Sequence, residues 1–595
     1  MKACLSRVFL AAGLMAAPGT SSLVHAQDKP VPTGDTTGAV PAKPDSTDSA
    51  AVVSMKSDST DSTTIRSSSL ALVTSEEVDR LRFDQLVTGV RRGQHLLLRS
   101  ASSLRESFSP AKPPWGASLI SPQFLLVTNS RLPFSQNNGA LWAGRGSNSR
   151  TLFGFVLESP HASLIFAPEV IASDNAYWLL RHDYYQPPIP EELSGRGYAL
   201  HYYYWTFPID QPMRFGNKPI RRFDLGESSA IVSAGPIKFG VSNENHWWGP
   251  GIRNAILLSN NARGFPHLFL RTAHPVETRL GSIDVRWLVG GLTESRYFDT
   301  VSTNNVRSLS SIAATLQTRW DPNLTIGAAR SVYATAKGWG DIPWRWFHVF
   351  APASRDTFSL FKRPVQLFMQ DSTFSDGSRD QLFSLFARWV FPADGFELNV
   401  EWARTKFPAS LHDFLVAPNH TQGYTLGLQW RSAAWRSGTI RLQGEVTQLE
   451  QSATFRDRPV GSWYTSRLVI QGYTNRGQVI GASIGPGAST QWLAIDYLKP
   501  QWRFGAFAGR IRWNEDVHST YGFPLYVAYC NHDISIYPGI RGAMWSRFGW
   551  FSADLSLQNR LNVFFQNGGG CPNTGRRLDI RNTNLSVTLS PFQRR

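Results

Sequence analysis

Residues 440–447 read IRLQGEVT, and this stretch decides the fold. Ile440, Leu442, Gly444 and Val446 alternate with Arg441, Gln443, Glu445 and Thr447. A helix would need apolar residues every three or four positions, whereas a period of two means a strand with one apolar and one polar face. The pattern recurs on both sides. Tyr424, Leu426, Leu428 and Trp430 alternate with Thr425, Gly427, Gln429 and Arg431, and Phe396, Leu398, Val400 and Trp402 with Glu397, Asn399 and Glu401. Ile312, Ala314, Leu316 and Trp320 do the same against Gln317 and Arg319, and Leu585, Val587 and Leu589 against Ser586, Thr588 and Ser590.

Two architectures satisfy such strands. A soluble sandwich or propeller buries the apolar face, while a transmembrane barrel turns it to lipid and encloses the polar face. Three features favour the barrel. Aromatic residues close the alternating segments (Trp320, Trp402, Trp430, Trp513), as an interfacial girdle requires. Arg and Glu share the polar positions, as expected of a confined lumen that must pair its charges. The final strand runs to Phe592, close to the C-terminal aromatic of bacterial outer-membrane barrels, although Gln593-Arg594-Arg595 follow it. All 21 Trp lie at or after Trp115, so the barrel is assigned to 115–595. At roughly 25–30 residues per strand and connection this predicts a large antiparallel transmembrane β-barrel of about 16–20 strands, with 18 the best guess. A lumen that wide is not filled by wall side chains alone, so it conducts or is plugged.

Composition agrees. Of 595 residues, 42% are hydrophobic and 17% charged, with a mean hydropathy of −0.24. That excludes a disordered chain, and no charge-free apolar run of 18 residues follows the N-terminus, which excludes a helical membrane bundle. Arg supplies 49 of the 60 basic residues, and the net charge is +16. Genomic base composition explains an Arg excess as well as a demand for bidentate recognition of acids does. Nucleic acid is set aside as a partner because the chain reads as exported. Residues 1–26 have a charged start (Lys2, Arg7), an apolar centre (Val8–Ala17) and a small-residue site at Val24-His25-Ala26, the three parts of a signal peptide.

Residues 27–70 lack Phe, Trp and Tyr, repeat Asp-Ser-Thr-Asp-Ser at 45–49 and 58–62, and read as a disordered tether. Residues 71–114 read as a short periplasmic helical segment. Thr74 with Glu77 suggests a capping box, and a helix through Val78, Leu81 and Leu86 would stop at Gly89.

The most distinctive motif is Asn243–Pro266, NENHWWGPGIRNAILLSNNARGFP. Trp247-Trp248 before Gly249-Pro250-Gly251 forms a rigid turn carrying two rings, and Asn260-Asn261-Ala262-Arg263 adds amide and guanidinium donors. Such rings stack on sugars while amides and Arg bind hydroxyls and acids. The competing reading is a structural corner that folds inward and braces the barrel.

The stretch Trp247–Arg271, WWGPGIRNAILLSNNARGFPHLFLR, resembles the Wzi family of capsule-assembly outer-membrane proteins. So do Gly472–Tyr497, GYTNRGQVIGASIGPGASTQWLAIDY, and more weakly Phe396–Thr405, FELNVEWART. The likeness runs from about Leu96 to the end, and the tether lies outside it. It implies an outer-membrane lectin barrel with a small helical periplasmic part, holding or organising capsular or exopolysaccharide at the cell surface. The polysaccharide-binding residues expected on this basis are Asn245, Trp247, Trp248, Arg253, Asn260, Asn261 and Arg263, joined by Tyr473, Asn475 and Arg476. The expected partners are an acidic polysaccharide and outer-membrane lipid, with polysaccharide export machinery left open, and the barrel is read as a monomer.

Other chemistries fit poorly. Gly481-Ala482-Ser483-Ile484-Gly485 matches a nucleophile elbow as a string, but its flanks are Gly-rich and no helix follows. Asn531-His532-Asp533 has no second cluster at ligand spacing. No cofactor, metal or enzymatic activity is expected. A disulfide between Cys530 and Cys571 would tie an external loop to the wall, against the alternative of two free thiols. The rival from another class is an outer-membrane porin or solute channel, which conductance would distinguish. A lipid-modifying barrel enzyme would show itself by turnover.

Overall fold

The computed structural model describes residues 66–68, 70–108, 115–178, 209–299, 301–353, 355, 378–452, 458, 460–516, 532–563 and 579–591. The alternating segments all form strands of one closed sheet. Its wall has eighteen strands: β1 (Gly116–Asn129), β2 (Gly146–Glu158), β3 (Ala162–Phe166 and Glu169–Ser173), β4 (Ile220–Asp224 and Ser229–Ala234), β5 (Ile237–Ser242) and β6 (His267–Thr272 and Val276–Glu277). They continue as β7 (Gly281–Thr293), β8 (Val306–Thr318), β9 (Leu324–Thr335), β10 (Arg379–Phe391), β11 (Phe396–Arg404) and β12 (Gln422–Arg431). The last six are β13 (Thr439–Gln448), β14 (Ser489–Leu498), β15 (Trp502–Arg512), β16 (Ile534–Ser546), β17 (Gly549–Leu561) and β18 (Ile580–Pro591). Each pairs antiparallel with its neighbours in sequence, and β18 closes the ring on β1, Leu589 opposite Phe124 and Asn584 opposite Asn129.

Burial inverts the rule for soluble proteins. On β13, Arg441, Gln443 and Thr447 are 0% exposed, while outward Leu426 of β12 and Leu493 and Ile495 of β14 are 47%, 61% and 50% exposed. A large apolar outer band over a polar interior is stable only where lipid replaces water outside. Short turns such as 235–236, 278–280 and 499–501 gather at one end, and long connections such as 130–145, 243–266 and 449–488 at the other. In outer-membrane barrels the short-turn end is periplasmic. Trp320 and Trp430 stand exposed at that end, as a girdle should. Trp513 does not belong to it. It lies beyond the end of β15, turns into the core, donates from Nε1 to Ser535 Oγ at 2.8 Å and carries Arg560 over its ring.

The segment expected as a helical part outside the barrel contains α1 (Glu76–Thr88) and α2 (Ala101–Phe108), and both meet inward-facing wall residues instead of standing apart. The reason is charge. Asp79 accepts from Arg441 at 2.8 Å and Arg503 at 3.1 Å, Glu76 pairs with Arg503 at 2.8 Å, and Arg82 donates from Nε to Glu397 at 2.8 Å. The network continues through Arg388 to Glu397 and through Arg441 and Arg541 to Asp496. Carboxylates on one helix face thus neutralise guanidiniums enclosed by the wall. Ser75, not Thr74, is the N-cap and makes no side-chain cap bond, while the Thr74 hydroxyl accepts from Asn260 Nδ2 at 3.0 Å. Gly89, at φ 87°, ends the helix as expected.

The tether reading overreaches at its end. Arg66–Ser68 pair in parallel with Ser118–Ile120 of β1, and Leu70 is fully buried. The pairing of β18 stops at Phe124, so this stretch of β1 would otherwise be an open edge. The signal peptide, the tether up to residue 65, Phe592 and both Cys530 and Cys571 lie outside the described residues.

Candidate functional site

The long connection 243–266 folds into the lumen. Trp247 and Trp248 form a two-residue ladder with Arg99 and Leu98, and the Trp248 amide donates to Leu258 O at 3.0 Å. Beyond them the chain wraps two wall carboxylates. Glu445 accepts from the consecutive amides of Ile252, Arg253 (3.0 Å) and Asn254 (2.8 Å), and Glu401 accepts from Ile256 N at 3.2 Å. Successive backbone N–H groups make a concave anion cradle, and here the anion is the protein's own. Gly249, at φ 121°, passes so close to Glu401 that a Cβ would lie 2.9 Å from Oε2, which is why the turn needs glycine.

The second motif packs against the first. The Tyr464 hydroxyl donates to Ile256 O at 2.9 Å and accepts from Ala482 N at 2.9 Å, and Tyr464 stacks on Tyr473. Ser259 N donates to Ile480 O, Asn261 Nδ2 to Val479 O, and Asn475 Nδ2 to Arg263 O. Segments about two hundred residues apart therefore form one packed unit inside the barrel.

Against that frame the expected binding residues divide. Trp247, Trp248 and Tyr473 are 1%, 0% and 0% exposed, so their rings serve as core. Asn245 Nδ2 donates to Asn260 Oδ1, and Asn245, Asn261 and Asn475 join loop to loop. Ser483 donates to Asn254 Oδ1 within a run of turns, so the nucleophile-elbow string lacks its strand–turn–helix context. Asn260, 3% exposed, is likewise held by Asn245, Asn137 and Thr74, whereas Arg253 is half-buried beside a cavity and Arg476 is exposed at φ 50°.

Arg263 and Arg476 come together with a residue the motif reading missed, Arg222 of β4. The three guanidiniums lie close enough for each charge to act on its neighbours. Arg263 pairs with Asp224, and Arg222 donates from Nη2 to Ala140 O. Nearby, Arg150 and Glu169 sit 3.6 Å apart. Counting Arg222, Arg263, Arg476 and Arg150 against Asp224, Glu169 and the buried Glu227, guanidiniums outnumber carboxyls four to three. Burial first, then the crowding by Arg222 and Arg476 against the pull of Asp224, brings Arg263 down to about 10. Among the described residues, Arg263 Nε and Nη1 and Arg222 Nε are buried without a hydrogen-bond acceptor. A pattern-based signal for Arg222 existed only in IRRFD, where alternation puts Arg222 and Asp224 on one face.

A polar cavity of about 280 Å³ lies between α1 and the wall, bounded at the loop end by Gln136, Asn138 and Arg253 and at the short-turn end by Asp554 and Trp550. Amides, a guanidinium and aromatic rings around a cavity are groups that bind carbohydrate.

The family model described as "Capsule assembly protein Wzi" matches residues 132–344, which include the Trp-Trp motif and Arg222. This is the family that the motifs resemble. A comparison with curated proteins finds no match. Among solved structures, the chain is similar to Wzi, an outer-membrane protein involved in group 1 capsule assembly in Escherichia coli and titled a carbohydrate-binding β-barrel. The identity is 11%, covering 82% of this chain and 87% of that one, with a TM-score of 0.46. It is also similar to OccK7 (OpdD) of Pseudomonas aeruginosa (10% identity, 81% and 100% covered, TM-score 0.34) and OprB of Pseudomonas putida (10%, 80% and 94%, 0.32).

Proposed function

We propose, taking the capsule-assembly family match over residues 132–344 as the premise, that this outer-membrane barrel is a lectin for an acidic capsular or extracellular polysaccharide. The observation that carries the reading is the convergence of Arg222, Arg263 and Arg476 from a strand and two loops, with Arg222 Nε and Arg263 Nε and Nη1 lacking acceptors among the described residues. An enclosed charged donor without an acceptor is costly, and a uronate or other acidic sugar would supply the missing oxygens bidentately. Arg253 and the cavity beside it would extend the site along the polymer. The signal peptide read at residues 1–26 fits this address. Occupation of the lumen by α1 and the two motif loops weighs against a diffusion porin.

The test is a glycan array probed with the detergent-purified barrel. Retention of acidic over neutral glycans supports the proposal, and equal or absent binding refutes it.

A further inference from the structure

The connection between β9 and β10 carries an element that the lectin reading does not use. Trp339–Phe350, WGDIPWRWFHVF, forms 3₁₀ turns lying on the outside of the wall. Its buried side is fixed by polar contacts to outward-facing strand residues. Ser310 Oγ donates to Trp346 O at 2.7 Å and accepts from Val349 N, Trp287 Nε1 donates to Trp346 O, and Arg330 Nη1 donates to Val349 O at 2.8 Å. Ile342 and Trp346 pack on Val289, Leu268 and Val306, and the Trp339 ring lies over Gly291, where a Cβ would come within 2.3 Å of it.

Two features set this patch apart. The middle of the outer band is apolar and exposed, at Leu426, Leu493 and Ile540 for example, but here Ser310, Val332 and Gln381 face outward and are 1%, 2% and 3% exposed because the strap covers them. Arg330, an outward guanidinium, donates from Nη1 to Val349 O and from Nη2 to Gln381 Oε1. The opposite side of the strap is then strongly apolar, with Trp344 84% exposed, Phe347 68% and Phe350 59%. Phe347 and Phe350 touch Trp287, the seventh of the thirteen residues of β7, so the strap descends to mid-wall on the long-loop half.

We propose that the strap 339–350 is a lipid-binding element seated in the outer leaflet, with Trp344, Phe347 and Phe350 among the acyl chains. Continuity with the apolar outer band carries the inference, because the strap lies on the surface that already faces lipid. Local 3₁₀ hydrogen bonding satisfies backbone groups that an irregular loop would leave bare in hydrocarbon. Its covered face insulates a polar patch of the wall from the same lipid, and its aromatic face suits the headgroup–acyl boundary.

The experiment places a nitroxide at Trp344→Cys, with the native cysteines changed to Ser, in the full-length barrel reconstituted into phosphatidylcholine vesicles. Labels at Leu428→Cys on the outer wall and Ser302→Cys in a long-side loop are the references. Accessibility to oxygen over a polar nickel chelate should be several-fold higher at position 344 than at 302, tracking the 428 label. Preference for nickel, as at 302, overturns the proposal. Low access to both reagents with spin–spin broadening also overturns it, since a second copy would then cover the face. Phe347→Cys repeats the measurement should the Trp344 variant fail to show the folded barrel's heat-modifiable mobility.

Discussion

Arg441 Nη2 of the wall lies 2.8 Å from Asp79 Oδ2 of the internal helix, although 362 residues separate them in the chain. The same guanidinium is held by Asp496, so the pair fastens α1 to a belt of wall charges. Removing one partner leaves an enclosed charge exposed to its like neighbours. Asp79→Ala is expected to cost about 1.5–3 kcal/mol, the range for hydrogen bonds to charged groups. In planar bilayers the parent should conduct little, and the variant should conduct more as α1 loosens. Unchanged conductance together with an unchanged melting temperature would show that the helix is held by something else.

Glu445 should be a structural keystone. Glu445→Ala removes the acceptor of three consecutive amides and leaves them unpaired beside Trp492 and Tyr537. Hydrogen exchange at 252–254 is expected to accelerate by more than tenfold, with little change in strands β7 and β8. Equal exchange in the parent and variant proteins would mean the cradle does not hold the turn.

The strands were legible because lipid facing leaves a two-residue period that no helix imitates, and IRLQGEVT already shows which face is enclosed. Helix α1 was legible to within one residue at its start and at its stop, Gly89. Its location was not, since Asp79 and Arg441 carry no local sign of each other. Trp247 and Trp248 look the same in sequence whether they stack on sugar or pack in a core, and their near-total burial decides for packing. Arg222 was invisible for a related reason. Its partners Arg263 and Arg476 sit in loops that only the closed fold brings to it.

A pH dependence follows from Asp516, in the connection after β15. Burial first, with Glu450 and Glu515 adding to it, raises this carboxyl to about 7 despite the hydrogen bond from Gln451 N at 2.8 Å. A carboxyl whose folded pKa exceeds its unfolded value of 3.8 favours the folded state below that value, and this contribution is lost as pH rises to about 7. Melting temperature in detergent should therefore fall between pH 4 and 7 by an amount that Asp516→Asn reduces, since Asn cannot ionise. An identical pH profile in the variant would contradict the assignment.

The central claim is that Arg222, Arg263 and Arg476 recognise carboxylates on a polymer. It is tested most directly by titrating the purified barrel with the native cell-surface polysaccharide and with the same polymer after chemical reduction of its carboxyl groups to alcohols. The native polymer should bind in a salt-sensitive manner. Reduction of the polymer, or the triple Arg222→Gln, Arg263→Gln, Arg476→Gln variant, should each weaken binding at least about tenfold, as expected when charge-assisted bidentate contacts are lost. Equal affinity for the native and reduced polymers would contradict the account.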